Sequence, residues 1–163
     1  SAYIGVWDVD MVTGIAHYNE QYFKMLGYDR GEFEDNHENW SDLIHPDDLE
    51  VSKINADKLT TGKAERSANE FRMIASNGEE ITILSIGKIV SRDENNKPTR
   101  ILGIHIDISD RKKAELLIKE KMAELEVFNK VAVGRELRMI ELKKEINHIL
   151  DELGKSEKYE IVE

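Results

Sequence analysis

Cysteine is missing from all 163 residues. That excludes disulfides, thiolate metal sites and thiol nucleophiles, and it suits a reducing, cytoplasmic setting. Long apolar runs are missing too. Nothing approaches the roughly 20 residues a membrane-spanning helix needs, and no signal peptide opens the chain. Basic charge is in short supply: 23 Lys and Arg face 33 Asp and Glu, a net charge of -10. Most of the excess lies early, with 20 acidic and 11 basic residues up to position 108 against 13 and 12 beyond it. A surface of that sign has no footprint for nucleic acid or an anionic membrane. No glycine loop of phosphate-cradling spacing occurs, and no nucleophile stands with a matched base.

What is present is a hydrophobic fraction of 40%, enough for one core, and a charged fraction of 34%, high enough to suggest an exposed helix. The chain begins at Ser1 with strand-like sequence at once, and it reads as a segment of a longer protein. Tyr3 to Val9 predicts a strand, and Asp10 to Gly14 a turn into a short strand from Ile15 to Tyr18. Asn19 is placed to cap a helix from Glu20 to Leu26 that Gly27 stops. After small helical pieces near Trp40 to Ile44, His45-Pro46-Asp47-Asp48 starts a helix reaching about Leu59. Proline suits its first position and the aspartates suit its positive end. The period then changes. Arg66 to Ala75, Glu80 to Ser91 and Thr99 to Ile108 read as three long strands, joined at Ser76-Asn77-Gly78 and at Asp93 to Pro98. Two short strands, small helices and three antiparallel strands specify an α+β domain, a five-stranded antiparallel sheet with helices on one side.

From Ser109, a candidate cap, to Leu153 no proline occurs and the only glycine is Gly134. Leu125, Phe128, Ala132, Arg135, Met139, Leu142, Ile146, Ile149 and Leu153 alternate steps of three and four, the seam of a coiled coil with polar interruptions. At 1.5 Å per residue, about 45 residues make a helix of roughly 65 Å, too long for one small domain to cover. The expected partner is a second copy of the chain. The expected organisation is a domain at 1–108, a coiled-coil helix at 109–153 and a tail at 154–163.

Several short motifs occur in order along the chain. They are Trp7-Asp8, Asn19, Leu26-Gly27-Tyr28, Trp40, Ile44-His45-Pro46-Asp47-Asp48, Glu70-Phe71-Arg72 and Asn77-Gly78. Arg92-Asp93, Gly103, Asp107-Ile108-Ser109, Arg111-Lys112 and Ala114-Glu115 follow. The ordered set resembles the PAS family with its C-terminal PAC motif, here about residues 66–115. The chain departs from the pattern at Ile83 or a neighbour, where tryptophan is frequent, and at Ser109, where threonine is commoner. The resemblance implies a sensory module feeding an effector outside this segment, such as a histidine kinase. It leaves the cofactor unknown, since relatives bind haem, flavin, organic acids or nothing.

Without cysteine, flavin-adduct and thioester-linked chromophore chemistry cannot occur. Haem is disfavoured, because the stretch Leu49 to Thr61 lacks the histidine that would serve as axial ligand. His45 suits a helix cap, and His17 and His37 suit the surface. Val133 to Arg138 faintly resembles a phosphoacceptor segment, but Arg135 stands where its histidine would be, and His148 lacks the context. His105 shares a strand face with Gly103 and Asp107, and by the resemblance it faces a pocket. The same alignment turns Phe71, Met73, Leu84 and Ile86 inward, an apolar pocket with one polar group for a small-molecule ligand. Asp107 and Ser109 form the expected output joint. Two other readings stand beside this one, an empty-cored dimerisation module and a small-molecule isomerase pairing His105 with a buried carboxylate.

Overall fold

A computed structural model describes residues 4–32, 39–156 and 158–160. Tyr3, His37 and residues 161–163, all named above, lie outside them. The first strand, β1 (Ile4–Asp10), pairs antiparallel with β2 (Ala16–Tyr18) on one side. Helix α1 (Glu20–Leu26) follows directly, because Asn19 Oδ1 accepts the Tyr22 amide at 2.9 Å and so satisfies one orphan donor. The same side chain accepts from Val6 N–H and donates to the Ile4 carbonyl, fastening α1 to β1. Gly27 ends the helix at φ 73°, a left-handed conformation that glycine adopts without steric cost.

Helix α2 (Asn39–Asp42) is a single turn. Helix α3 (Pro46–Thr60) begins at its proline, with His45 Nδ1 accepting the Asp47 amide at 3.2 Å. Asp48 then grips Arg72, accepting from its backbone N–H at 2.9 Å and from Nε and Nη2 at 3.0 Å. Fixed so, α3 lies along β3 (Arg66–Ile74), the first of three long strands. β4 (Glu80–Arg92) and β5 (Pro98–Asp107) complete an antiparallel sheet of order β2-β1-β5-β4-β3. The last strand thus lies in the middle, against the first.

The core fills the helix-covered face of the sheet, where Tyr22, Phe23, Leu26, Met73 and Ile83 are fully buried. Each contributes about 1.5–3 kcal/mol by leaving water. A second cluster of Leu59, Ile89 and Ile101 joins the main one through Trp7 and Met11.

The expected inward set needs one correction. Phe71 pairs with Ile83, and Ser85 pairs with His105, so Ile83, Ser85, Gly87 and Ile89 face the core. Leu84 and Ile86 therefore point to the opposite face, Ile86 with 38% of its surface exposed. The run Ile81-Thr82-Ile83-Leu84-Ser85-Ile86 carries apolar residues on both faces. Alternation does not fix its phase, and a one-residue slip turns every side chain over.

After β5 the chain enters α4 (Ser109–Glu152). Residues 1–113 form one compact unit and residues 114–163 a second. In the second unit Gly154 turns the chain beyond α4. The Lys155 amide bonds the Leu150 carbonyl at 2.9 Å. Asn147 then holds the returning backbone, donating to the Tyr159 carbonyl at 2.7 Å and accepting from the amides of Lys158 and Tyr159.

Candidate ligand pocket and output joint

His105 sits near the C-terminal end of the central strand β5 and is only 5% exposed. Its ring lies 5.1 Å from that of Tyr22, tilted by 31°, and meets Phe71 and Trp7 edge-on at 5.7 and 6.1 Å. Burial pushes its pKa down to about 3, because the charged imidazolium would lose its hydration without gaining a partner. The ring is therefore neutral near pH 7. Its Nδ1 is buried without a hydrogen-bond partner, and so is Trp7 Nε1.

Trp7 reaches this position because β4 and β5 carry no side chain beneath it. A Cβ on Gly103 would overlap the indole and the Ile86 carbonyl oxygen, and one on Gly87 would lie 2.8 Å from the same ring. Trp7, Val9, Tyr18, Tyr22, Trp40, Ser52, Ala56, Leu59, Ser67, Asn69, Phe71, Ser85 and His105 then enclose a cavity. Its empty space is about 540 Å³, a figure that includes the open solvent at its mouth.

Of the five residues expected to line a pocket, His105 and Phe71 do so. Met73 is wholly buried in the adjoining core, and Leu84 and Ile86 are on the far face. Trp7, Tyr18, Tyr22, Ser52, Asn69 and Ser85 were not anticipated. The parity of Trp7 with the core residue Val9 carried a signal for one of them. The others are brought in by pairing and helix docking, which local pattern does not encode. Among the described residues no carboxylate lines the cavity, so the pair that an isomerase would need with His105 is not assembled there.

The joint after β5 lies in the same unit. Asp107 Oδ1 accepts the Ser109 amide at 2.8 Å. Ser109 does not cap its own helix with its hydroxyl, as expected above. As the first helical residue it is past the capping position, and its Oγ instead accepts the Thr82 amide of β4 at 2.9 Å. The Thr82 carbonyl in turn accepts from Ile108 N–H at 2.8 Å. Glu70 of β3 pairs with Arg111 at 2.9 Å and with Lys112. The Lys112 ammonium, with Arg111 nearby, holds Glu70 below the usual carboxylate range. Glu70 stands between Asn69 and Phe71, both of which line the cavity from the other face.

In the second unit, Leu125, Phe128, Met139, Leu142, Ile146, Ile149 and Leu153 are all exposed within a single chain. His17 and His148 are exposed. Among the described residues no cluster of His, Asp and Glu is arranged to hold a metal. No helix among them is long and apolar enough to cross a membrane.

A family model described as the PAS fold matches residues 15–105. The chain belongs to the PAS family. A methyl sulfide methyltransferase-associated sensor of Methanosarcina acetivorans is 30% identical over 131 residues, 80% of this chain and 12% of that protein. The PAS chain thus spans about an eighth of that relative's length. A solved sensory box histidine kinase/response regulator from Burkholderia thailandensis is 25% identical, with a TM-score of 0.63 over 76% of this chain and 90% of that one. The N-terminal domain of a diguanylate cyclase with a PAS/PAC sensor, from Marinobacter aquaeolei, shares the fold. It is 21% identical at a TM-score of 0.59, covering 67% of this chain and 98% of that one. The PAS module is thus similar to sensor domains of signalling proteins.

Proposed function

We propose that this PAS module binds a small molecule in the cavity beside His105 and passes the event through β3 to α4, and so to an effector. The observation that carries the reading is the double role of β3. Asn69 and Phe71 line the cavity on one face, while Glu70 between them grips the first turn of α4 on the other. A strand is stiff along its length, so a ligand that displaces Phe71 moves Glu70 with it. The Glu70 pairs are open to solvent and screened by it, so they add little to stability. That is too little to hold a domain together and enough to bias a helix between two rotations, whose populations shift tenfold per roughly 1.4 kcal/mol.

In this reading α4 acts as a dimer, its apolar seam meeting that of a second copy in a coiled coil. The effector is a histidine kinase and the setting cytoplasmic. The exposed seam and the sensor-type relatives support this. The cysteine-free sequence makes a clean test possible. Single cysteines at Met139 and Leu142 report which face of α4 meets its partner, through crosslinking rates. Glu70→Gln and Asp107→Ala should each change the ratio of the two rates at least about threefold while leaving the melting temperature nearly unchanged. Equal ratios in both variants would show that the joint is only a strand end.

A further inference from the structure

The cavity wall also constrains the ligand's chemistry. Among the described lining residues there is no Lys, Arg, Asp or Glu, and the imidazole among them is neutral. A carboxylate or phosphate entering this space would leave water and meet no counter-charge. The polar lining is uncharged, supplied by Ser52, Ser67, Asn69 and Ser85. The remaining surface is dominated by ring faces and edges, with Tyr22, Phe71 and Trp7 around His105.

Two of the lining residues carry polar atoms, Trp7 Nε1 and His105 Nδ1, that are buried without partners. Such groups are rare in native structures, and each is a request for a partner. The indole N–H only donates, so its partner must be an acceptor. Imidazole Nδ1 accepts or donates according to tautomer. Trp7 is held by the close approach of Gly87 and Gly103, and His105 by its surrounding rings, so both are fixed before a ligand arrives.

We infer that the cavity takes an uncharged, flat aromatic or heteroaromatic molecule with a carbonyl-type acceptor for Trp7 Nε1 and a second polar atom for His105 Nδ1. This rests on the sensory reading above, and deepens it by naming the ligand class.

The test uses the full chain and three probes of like outline. 2-Quinolone is neutral with a carbonyl and an N–H, naphthalene has no polar atom, and quinoline-2-carboxylate is an anion. Calorimetry at neutral pH should show 2-quinolone binding at least about tenfold more tightly than either of the others. Trp7→Phe and His105→Leu should each cost it about tenfold while leaving naphthalene unaffected. Equal binding of the anion overturns the charge argument, and equal binding of naphthalene overturns the two polar contacts. Native mass spectrometry of the chain as purified runs alongside. A retained neutral aromatic supports the inference, whereas a retained anion overturns it and leaves the sensory reading standing. A chain that retains nothing and binds no probe removes the cavity from both.

Discussion

Lowering the pH from neutrality to about pH 5 should destabilise this domain through His105, and by a calculable amount. In the unfolded chain its imidazole takes up a proton near pH 6.5, the ordinary value for about any exposed histidine. In the folded chain burial holds the pKa near 3. Above pH 6.5 both states are neutral and the group has no effect. Below it only the unfolded chain binds the proton, so stability falls by about 1.4 kcal/mol per pH unit until the folded pKa is approached. At pH 5 the loss is about 2 kcal/mol, a large share of the 5–15 kcal/mol that holds a typical domain. The other titratable groups in the cavity wall are Tyr18 and Tyr22. Phenols ionise near pH 10, and burial pushes Tyr22 higher still. Asp8, Asp48 and Glu70 are held below their ordinary range by Arg100, Arg72 and Lys112 respectively. They lose their stabilising effect only as pH falls through the carboxylate range, and they do so equally in a His105→Leu variant. Urea unfolding of both forms, followed by tryptophan fluorescence, isolates the difference, since Trp7 and Trp40 both lie in the first unit. Between pH 7.5 and about pH 5 the wild type should lose about 2 kcal/mol more than the variant. Parallel curves would mean that the folded imidazole protonates freely, and the account of a dry, neutral His105 would fall.

Gly103→Ala should destabilise the domain by about 3 kcal/mol or more, since the added carbon overlaps Trp7 and the Ile86 carbonyl. Gly134→Ala, with nothing near its Cβ in the middle of α4, should instead stabilise the helix by up to about 1 kcal/mol. Thermal melts by circular dichroism distinguish the two. If the seam of α4 joins two copies, the double change Ile146→Glu and Ile149→Glu should convert a dimer to a monomer in sedimentation velocity, and an unchanged sedimentation coefficient refutes that seam. Asn147→Ala removes three hydrogen bonds to the returning tail. Amide exchange at Tyr159 should quicken roughly fivefold or more, as loss of about 1 kcal/mol implies, with exchange in mid-α4 unaltered.

The element boundaries were legible because their causes are local. Asn19 and Gly27 bracket α1, Pro46 opens α3, and Ser76-Asn77-Gly78 joins β3 to β4, each acting within a few residues. The order of motifs likewise pointed to the PAS family, and His105 and Phe71 to the cavity. The rest depended on distant parts of the chain meeting. Both faces of β4 are apolar around Ile83 and Leu84, so the turn of that strand was settled by its pairing with Phe71 on one side and His105 on the other. Ser109 was a plausible cap by position alone, until the neighbouring Thr82 amide claimed its hydroxyl. The cavity draws on residues from Trp7 to His105, nearly the whole first unit. Its chemistry follows from β5 inserting beside β1, and from the burial that removes water from His105. Caps and turns need only their neighbours, whereas strand register and the hydration of a buried ring are properties of the assembled sheet and its covering helices.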